Sequence, residues 1–304
     1  MKRKRFIILS VVGILIVIGI SLGLYFTFKA PLASGVTITD DLGRTVQVSS
    51  NLHKVVSLSP GATEILFALG VGDKIVGVTN QCDYPEEAKT KPKVGDYWDP
   101  SVEEIVALGP DLILAEAYKP GLVSQLEGVG LTVIVFQPED ISGILHDVLL
   151  IGQVTGTGKK AQSLVATMEQ RIQAITSKME NAAKPGVFYE GDCSYGIWTA
   201  GLGTFQDELI TLAGGRNVGA TEEGYYEISD EVLLSINNTI NIIIWGDMGE
   251  VSPDDVKGEL PWSGLTAMQT GKVHIIDPDL INRPGPRIID CLEEFARIIH
   301  PELF

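Results

Sequence analysis

Glu64-Ile65-Leu66-Phe67-Ala68-Leu69-Gly70, running on to Lys74-Ile75-Val76-Gly77-Val78-Thr79, is echoed by Glu208-Leu209-Ile210-Thr211-Leu212-Ala213-Gly214, running on to Arg216-Asn217-Val218-Gly219-Ala220-Thr221. After each copy comes an irregular stretch and then a second helix start, Ser101-Val102-Glu103 in one and Ser229-Asp230-Glu231 in the other. Beyond those starts lie the apolar runs Leu112-Ile113-Leu114 and Ile242-Ile243-Ile244, which read as buried strands. Two copies are too few for a solenoid. They predict two similar α/β lobes with a cleft between them, and such clefts are favoured ligand sites. The alternative is chance recurrence of common helix–strand punctuation, and it stays open at this level.

Between the copies, Ala161, Leu164, Val165, Met168, Ile172, Ile175 and Met179 recur at spacings of three and four, the signature of a helix with one apolar stripe. A helix over 159–181 would be roughly 35 Å long. The fold expected is therefore α/β, two Rossmann-like lobes joined by a single long α-helix, with the ligand cleft between the lobes. The boundaries are 36–157 for the first lobe, 158–182 for the linker helix and 183–304 for the second lobe. Val55-Val56-Ser57-Leu58 reads as a strand that ends in the loop Ser59-Pro60-Gly61-Ala62-Thr63. That loop feeds a helix start, where free backbone N–H groups face the strand's carboxyl end and a ligand.

At 304 residues and 45% hydrophobic composition, the chain can give each lobe its own core. A formal net charge of −16 argues against nucleic acid as a partner, because phosphates demand clustered Lys and Arg. Three cysteines, Cys82, Cys193 and Cys291, have no metal spacing and leave at least one unpaired. The four histidines are scattered, and no metal site is expected.

The N-terminus carries a second signal. Lys2, Arg3, Lys4 and Arg5 precede an uncharged stretch over 6–28, long enough for a spanning helix and longer than a signal-peptide apolar region. The four basic residues place the tip in the cytoplasm and the rest outside. Residues 1–35 are thus read as basic tip, transmembrane anchor and tether, and the protein as single-pass in the cell membrane. The small residues Ala33, Ser34 and Gly35 leave cleavage as the alternative. No Cys lies near the segment to carry a lipid.

Motifs for covalent chemistry are lacking. Gly152 to Gly158 has five residues between the glycines, and Lys159 is followed by Lys160, so a phosphate loop fails. No nucleophile is paired with a histidine, and no catalytic residue is assigned. The segments expected at the cleft are instead aromatic and acidic: Gln81, Cys82, Asp83, Tyr84, Asp96, Tyr97, Trp98 and Asp99 in the first lobe, and Glu190, Asp192, Tyr195, Trp198, Tyr225 and Tyr226 in the second. As a group they suit a flat, largely uncharged ligand, since rings supply contact area at low entropic cost. Arg283 could hydrogen-bond ligand carbonyls or amides, and Arg287 could tie its loop to the lobe. Glu103 and Glu231 hold equivalent places in the two copies. They serve either the helix dipole or a pseudo-symmetric docking surface.

With Ser57-Leu58-Ser59-Pro60-Gly61-Ala62-Thr63-Glu64, Cys82-Asp83-Tyr84-Pro85, Ser101 to Leu114 and the Arg283 to Arg287 tail in place, the chain from about Val36 to Phe304 resembles the class III periplasmic substrate-binding proteins of ABC importers. The nearest type is the cobalamin binder, with siderophore and haem binders as relatives. The resemblance implies a corrinoid cleft lined by Tyr97, Trp198 and Tyr225 and contacted by Arg283, and we add Trp98 and Gln81 as cleft neighbours. It also implies that Glu103 and Glu231 dock onto arginines of an ABC permease, which works with its ATPase subunits. Gln81 stands where well-known members carry a stacking Tyr, and Glu116 where they carry a Trp. Beyond the bound ligand, no cofactor is expected. The other readings weighed are an iron–siderophore or haem binder, with Tyr97 or Tyr225 as an axial ligand, and an anchored carbohydrate-active enzyme with two carboxylates about 5–9.5 Å apart. Anionic iron chelates usually want several Arg or Lys, which the acidic cleft segments do not supply.

Overall fold

The structure, a computed structural model, describes residues 35–117, 120–246 and 251–304. The stretch at 6–28 lies outside the described residues. No helix among the described residues is long and apolar enough to cross a membrane.

The first lobe opens with a hairpin, β1 (Gly35–Thr39) and β2 (Thr45–Ser49), turning at Asp40 to Arg44. There Arg44 is held by Asp40 at 2.6 Å and by Glu127 at 2.8 Å. The lobe proper is a four-stranded parallel sheet of β3 (Val55–Ser57), β4 (Ile75–Val78), β5 (Leu112–Glu116) and β6 (Val133–Phe136), ordered β4-β3-β5-β6. Helices α1 (Pro60–Ala68), α2 (Val102–Leu108), α3 (Pro120–Gly128) and α4 (Ile141–Thr155) connect and cover it. The strands are buried, as near-continuous apolar runs in a parallel sheet covered on both faces should be.

The second lobe repeats the plan with β7 (Gly186–Glu190), α6 (Phe205–Leu212), β9 (Arg216–Asn217), α7 (Asp230–Ser235), β11 (Ile242–Trp245) and β12 (Val273–Ile275). Its sheet order is β12-β11-β7-β9, all parallel. Numbered within each lobe, both sheets read 2-1-3-4. The recurrence seen in the sequence is therefore topological, and chance punctuation does not account for it. One difference departs from expectation. The stretches around Trp198 and Tyr225 are not irregular, because β8 (Ile197–Ala200) and β10 (Tyr225–Ile228) pair as an antiparallel ribbon inserted into the second lobe.

Between the sheets runs α5 (Gly158–Met179), 22 residues and about 33 Å long. Gly156, at φ 73°, takes the left-handed conformation that ends α4 and lets the chain turn into it. Ala161 and Val165 enter the core of the first lobe, and Met168, Ile175 and Met179 that of the second. Leu164 packs against both. The first lobe does not end cleanly at this helix, since Ile141 and Ile144 of α4 are buried in the second lobe's core. The small helices α8 (Pro253–Val256), α9 (Thr266–Gln269) and α10 (Pro278–Ile281) precede α11 (Ile288–Ile299), which packs on α5 and α6.

Candidate functional site

In each sheet, strands 1 and 3 are neighbours whose connections leave in opposite directions, which makes their carboxyl ends the switch point where open α/β sheets bind ligands. In the first lobe those ends are Ser57, leading to Pro60 and Gly61, and Glu116. Pro60, Gly61 and Glu116 all line a cavity of about 520 Å³ together with Gln81, Tyr97, Trp98, Phe205, Tyr225, Pro278, Asp279, Asn282, Arg283 and Pro284. In the second lobe, Gly191 and Asp192 follow β7 and line a smaller cavity of about 230 Å³ with Trp198 and Thr199. Tyr225 and Asn282 belong to both cavities, so the two form one cleft. All six residues expected at the ligand (Gln81, Tyr97, Trp98, Trp198, Tyr225 and Arg283) face it.

The first lobe holds its rings with side-chain hydrogen bonds. The Gln81 amide nitrogen donates to Asp96 at 2.7 Å, and its oxygen accepts from the Tyr97 backbone N–H at 2.8 Å. The Tyr97 hydroxyl donates to Glu116 at 2.5 Å. Trp98 stands edge-on to Tyr97, with centroids 5.0 Å apart and planes at 78°, and is 70% exposed. Gln81 therefore fixes the 96–98 loop. The helix start at Pro60 also departs from expectation. The Ser59 hydroxyl caps it by accepting from the Ala62 N–H, and the tail loop covers it so closely that a Cβ on Gly61 would stand 2.3 Å from the Pro284 carbonyl oxygen.

The second lobe holds its rings by backbone register. Trp198 lies opposite Glu227, and Tyr225 opposite Ala200, in the inserted ribbon. The rings remain 43% and 53% exposed, respectively. The Tyr225 hydroxyl points inward and donates to Gln206 at 2.6 Å, and burial of that end pushes its pKa up to about 12.

Arg283 is not a lone cation offered to a ligand. Its Nη1 meets Asp83 at 2.5 Å and its Nη2 meets Asp279 at 2.6 Å, and its side chain is only 10% exposed. For Asp83, burial opposes ionisation, but the hydrogen bond and charge of Arg283 win and hold the carboxyl below its usual range. Asp279 goes the other way, because burial, assisted by the charges of Asp83 and Asp277, raises it against the pull of Arg283. Arg287 ties its loop to the opposite lobe, with Nε and Nη2 donating to Glu64 at 3.0 and 2.6 Å and the guanidinium stacked 3.9 Å from the Tyr84 ring centre. Glu64 is 2% exposed, and burial raises its pKa despite Arg287.

Glu103 and Glu231 are outside the cleft. Both are exposed and occupy the second position of their helices, and the capping hydroxyls of Ser101 and Ser229 accept from Glu104 and Val232 N–H groups at 3.2 and 3.3 Å. No salt bridge among the described residues engages either. The Ser101 N–H donates to Val94 O, so the reciprocal half of a capping box with Glu104 is not made. The sequence reading missed Phe205 and Asn282. Phe205 is signalled only by an apolar residue directly after the Thr204 cap, and Asn282 by its place beside Arg283. Cys82 and Cys291 are buried free thiols, and no cluster of three metal-type ligands occurs among the described residues.

Comparison with known proteins then adds the following. Residues 55–280 match the family model described as periplasmic binding protein. An uncharacterized ABC transporter substrate-binding lipoprotein of Bacillus subtilis is 34% identical over 277 residues, covering 88% of this chain and 87% of the relative. A cobalamin-binding protein of Halobacterium salinarum is 30% identical over 283 residues, covering 87% and 74%. Among solved structures, the periplasmic vitamin B12 binding protein of Vibrio cholerae superposes with a TM-score of 0.71 at 26% identity, over 82% of this chain and 97% of that one. Periplasmic haem-binding proteins are structural neighbours too.

Proposed function

The chain belongs to the periplasmic binding protein family, whose members are substrate-binding proteins and not enzymes, and from that premise we propose that it captures a corrinoid of the cobalamin type outside the cell membrane and delivers it to an ABC importer. On this reading 36–157 and 183–304 are the two halves of the binding unit, 158–182 the spacer between them, and 6–28 the anchor in the membrane. Glu103 and Glu231 dock the loaded protein on the permease.

The observation that carries the ligand reading is the convergence of Tyr97, Trp98, Trp198 and Tyr225 on one cleft at the switch points of both sheets. A broad, rigid macrocycle matches opposed aromatic surfaces of this kind. Two features disfavour haem ligated through iron. Tyr225 would have to give up the hydrogen bond its hydroxyl donates to Gln206. Tyr97 would have to give up its hydrogen bond and place a phenolate against the Glu116 carboxylate.

The test is titration of residues 36–304 with cyanocobalamin, haem and a ferric siderophore, followed by visible absorption. One-to-one binding of the corrinoid is expected, with Trp198→Ala or Tyr97→Ala weakening it by about 1–3 kcal/mol, the scale of one lost aromatic contact. If haem or the siderophore binds and cyanocobalamin does not, the iron-complex reading replaces this one. If the Trp198→Ala, Tyr97→Ala double variant binds as the parent does, the cleft is misassigned.

A further inference from the structure

The cation count in the cleft is decided by two residues that no ligand reading needed. Among the described residues, Arg283 is the one basic side chain lining the cavity, and its two terminal nitrogens are each taken by a carboxylate, Asp83 from the first lobe and Asp279 one helical turn before it. Glu116 adds a third carboxylate to the same cavity, and among the described residues neither Lys nor His lines either cavity.

We infer that Asp83 and Asp279 are the specificity-determining residues of this cleft: by neutralising Arg283 from both sides they admit ligands whose rim is made of neutral amides and turn away macrocycles and chelates whose rim carries carboxylates. The inference rests on the reading of this cleft as the ligand site. A guanidinium has five N–H donors in a fixed fork. Two carboxylates at the terminal nitrogens more than offset its charge but leave N–H groups that can donate to an uncharged carbonyl. A neutral primary amide, which can both donate to Asp279 and accept from Arg283, satisfies such a mixed rim. An anionic oxygen is opposed by Asp83, Asp279 and Glu116 at short range in a partly desolvated wall, where like charges cost far more than in bulk water. Because Asp83 and Arg283 come from opposite lobes, the mask is complete only when the lobes stand as they do here.

The experiment separates charge from shape by using two probes with one ring: haem, and haem with both propionates converted to neutral amides. Affinities of residues 36–304 and of the Asp83→Asn, Asp279→Asn variant are measured for both. The parent is expected to favour the bis-amide. The double variant should shift the haem-to-bis-amide affinity ratio toward haem by at least tenfold, and adding Arg283→Gln should remove about half of the shift on a logarithmic scale, since the local charge then changes by one unit and not two. Since Asp279 is 45% exposed, Asp279→Asn alone gives a second, less disruptive variant, expected to shift the ratio by about a third to a half as much on a logarithmic scale. An unchanged ratio in either folded variant overturns the inference, as does a shift that Arg283→Gln leaves undiminished. Failure of the parent to bind cyanocobalamin would instead count against the corrinoid reading, and the ratio would still report on the charge mask.

Discussion

The two lobes share a strand order and differ in how they present their aromatic rings. In the first, Tyr97 and Trp98 sit on a loop whose shape depends on Gln81, Asp96 and Glu116. In the second, Trp198 and Tyr225 sit on paired strands, so a backbone ladder fixes them and neighbouring side chains matter less. The same 2-1-3-4 sheet thus supports one wall tuned by side-chain hydrogen bonds and one wall set by register. What the halves keep in common is the switch point and the helix start that carries Glu103 or Glu231. The shared features are architectural, and on the proposed function the shared helix starts also serve docking while the divergent features serve the ligand.

If that division is right, the largest effect should come from the shared helix starts. Glu103→Arg with Glu231→Arg is expected to abolish permease binding and transport while leaving ligand affinity within about twofold, because reversed charges at a docking rim oppose the partner's arginines. Pull-down with the permease and titration with ligand read the two properties separately. Loss of ligand affinity with docking intact would break the comparison, and a lowered melting temperature would return both residues to the helix dipole.

Next in size is the latch between the lobes. Arg287→Ala leaves Glu64 with a carboxylate 2% exposed and no partner, and breaking a buried pair in this way costs about 3–5 kcal/mol. Chemical denaturation should show one destabilised transition if the lobes unfold together. Two separated transitions would mean that the latch supplies most of the energetic coupling between the lobes. Glu64→Gln in the Arg287→Ala background should recover part of the loss, because the buried group is then neutral.

Much of the lobe plan could be read in advance because it depends on patterns local in sequence. A helix stripe, a glycine stop, a serine cap and an apolar strand each announce themselves within about ten residues. Of the rings expected at the cleft, Tyr97, Trp98, Trp198 and Tyr225 line it, whereas Tyr84 packs on Arg287 and Tyr195 and Tyr226 line neither cavity. Two things were not legible. The β8–β10 ribbon pairs Ile197–Ala200 with Tyr225–Ile228 across a helix and another strand, and short strands with a long intervening segment give no local signal. The state of Arg283 was hidden for the same reason: Asp83 is 200 residues away, and only the docked tail shows that the arginine is already engaged on both sides.

The smallest effect concerns a group found only in the first lobe. Asp147 of α4 lies under the cleft floor, 2% exposed, with Oδ1 lacking a hydrogen-bond partner. Burial first, then the neighbouring charges of Asp41 and Glu116, push its pKa from the ordinary 3.8 to about 9. At neutral pH the folded protein therefore keeps a proton that the unfolded chain releases. Stability should fall as pH rises from about 4 toward 9, because across that window the folded state binds more protons than the unfolded state. Asn cannot ionise, so Asp147→Asn removes the slope. Urea unfolding should find the variant more stable than the parent at pH 8, in the direction set by the proton linkage, and nearly equal to it at pH 4. A parent whose stability is flat across this window, with a variant weaker at pH 8, would show that Asp147 is ionised and paired. The first lobe's floor would then be charged to its base, in deeper contrast with the register-held wall opposite.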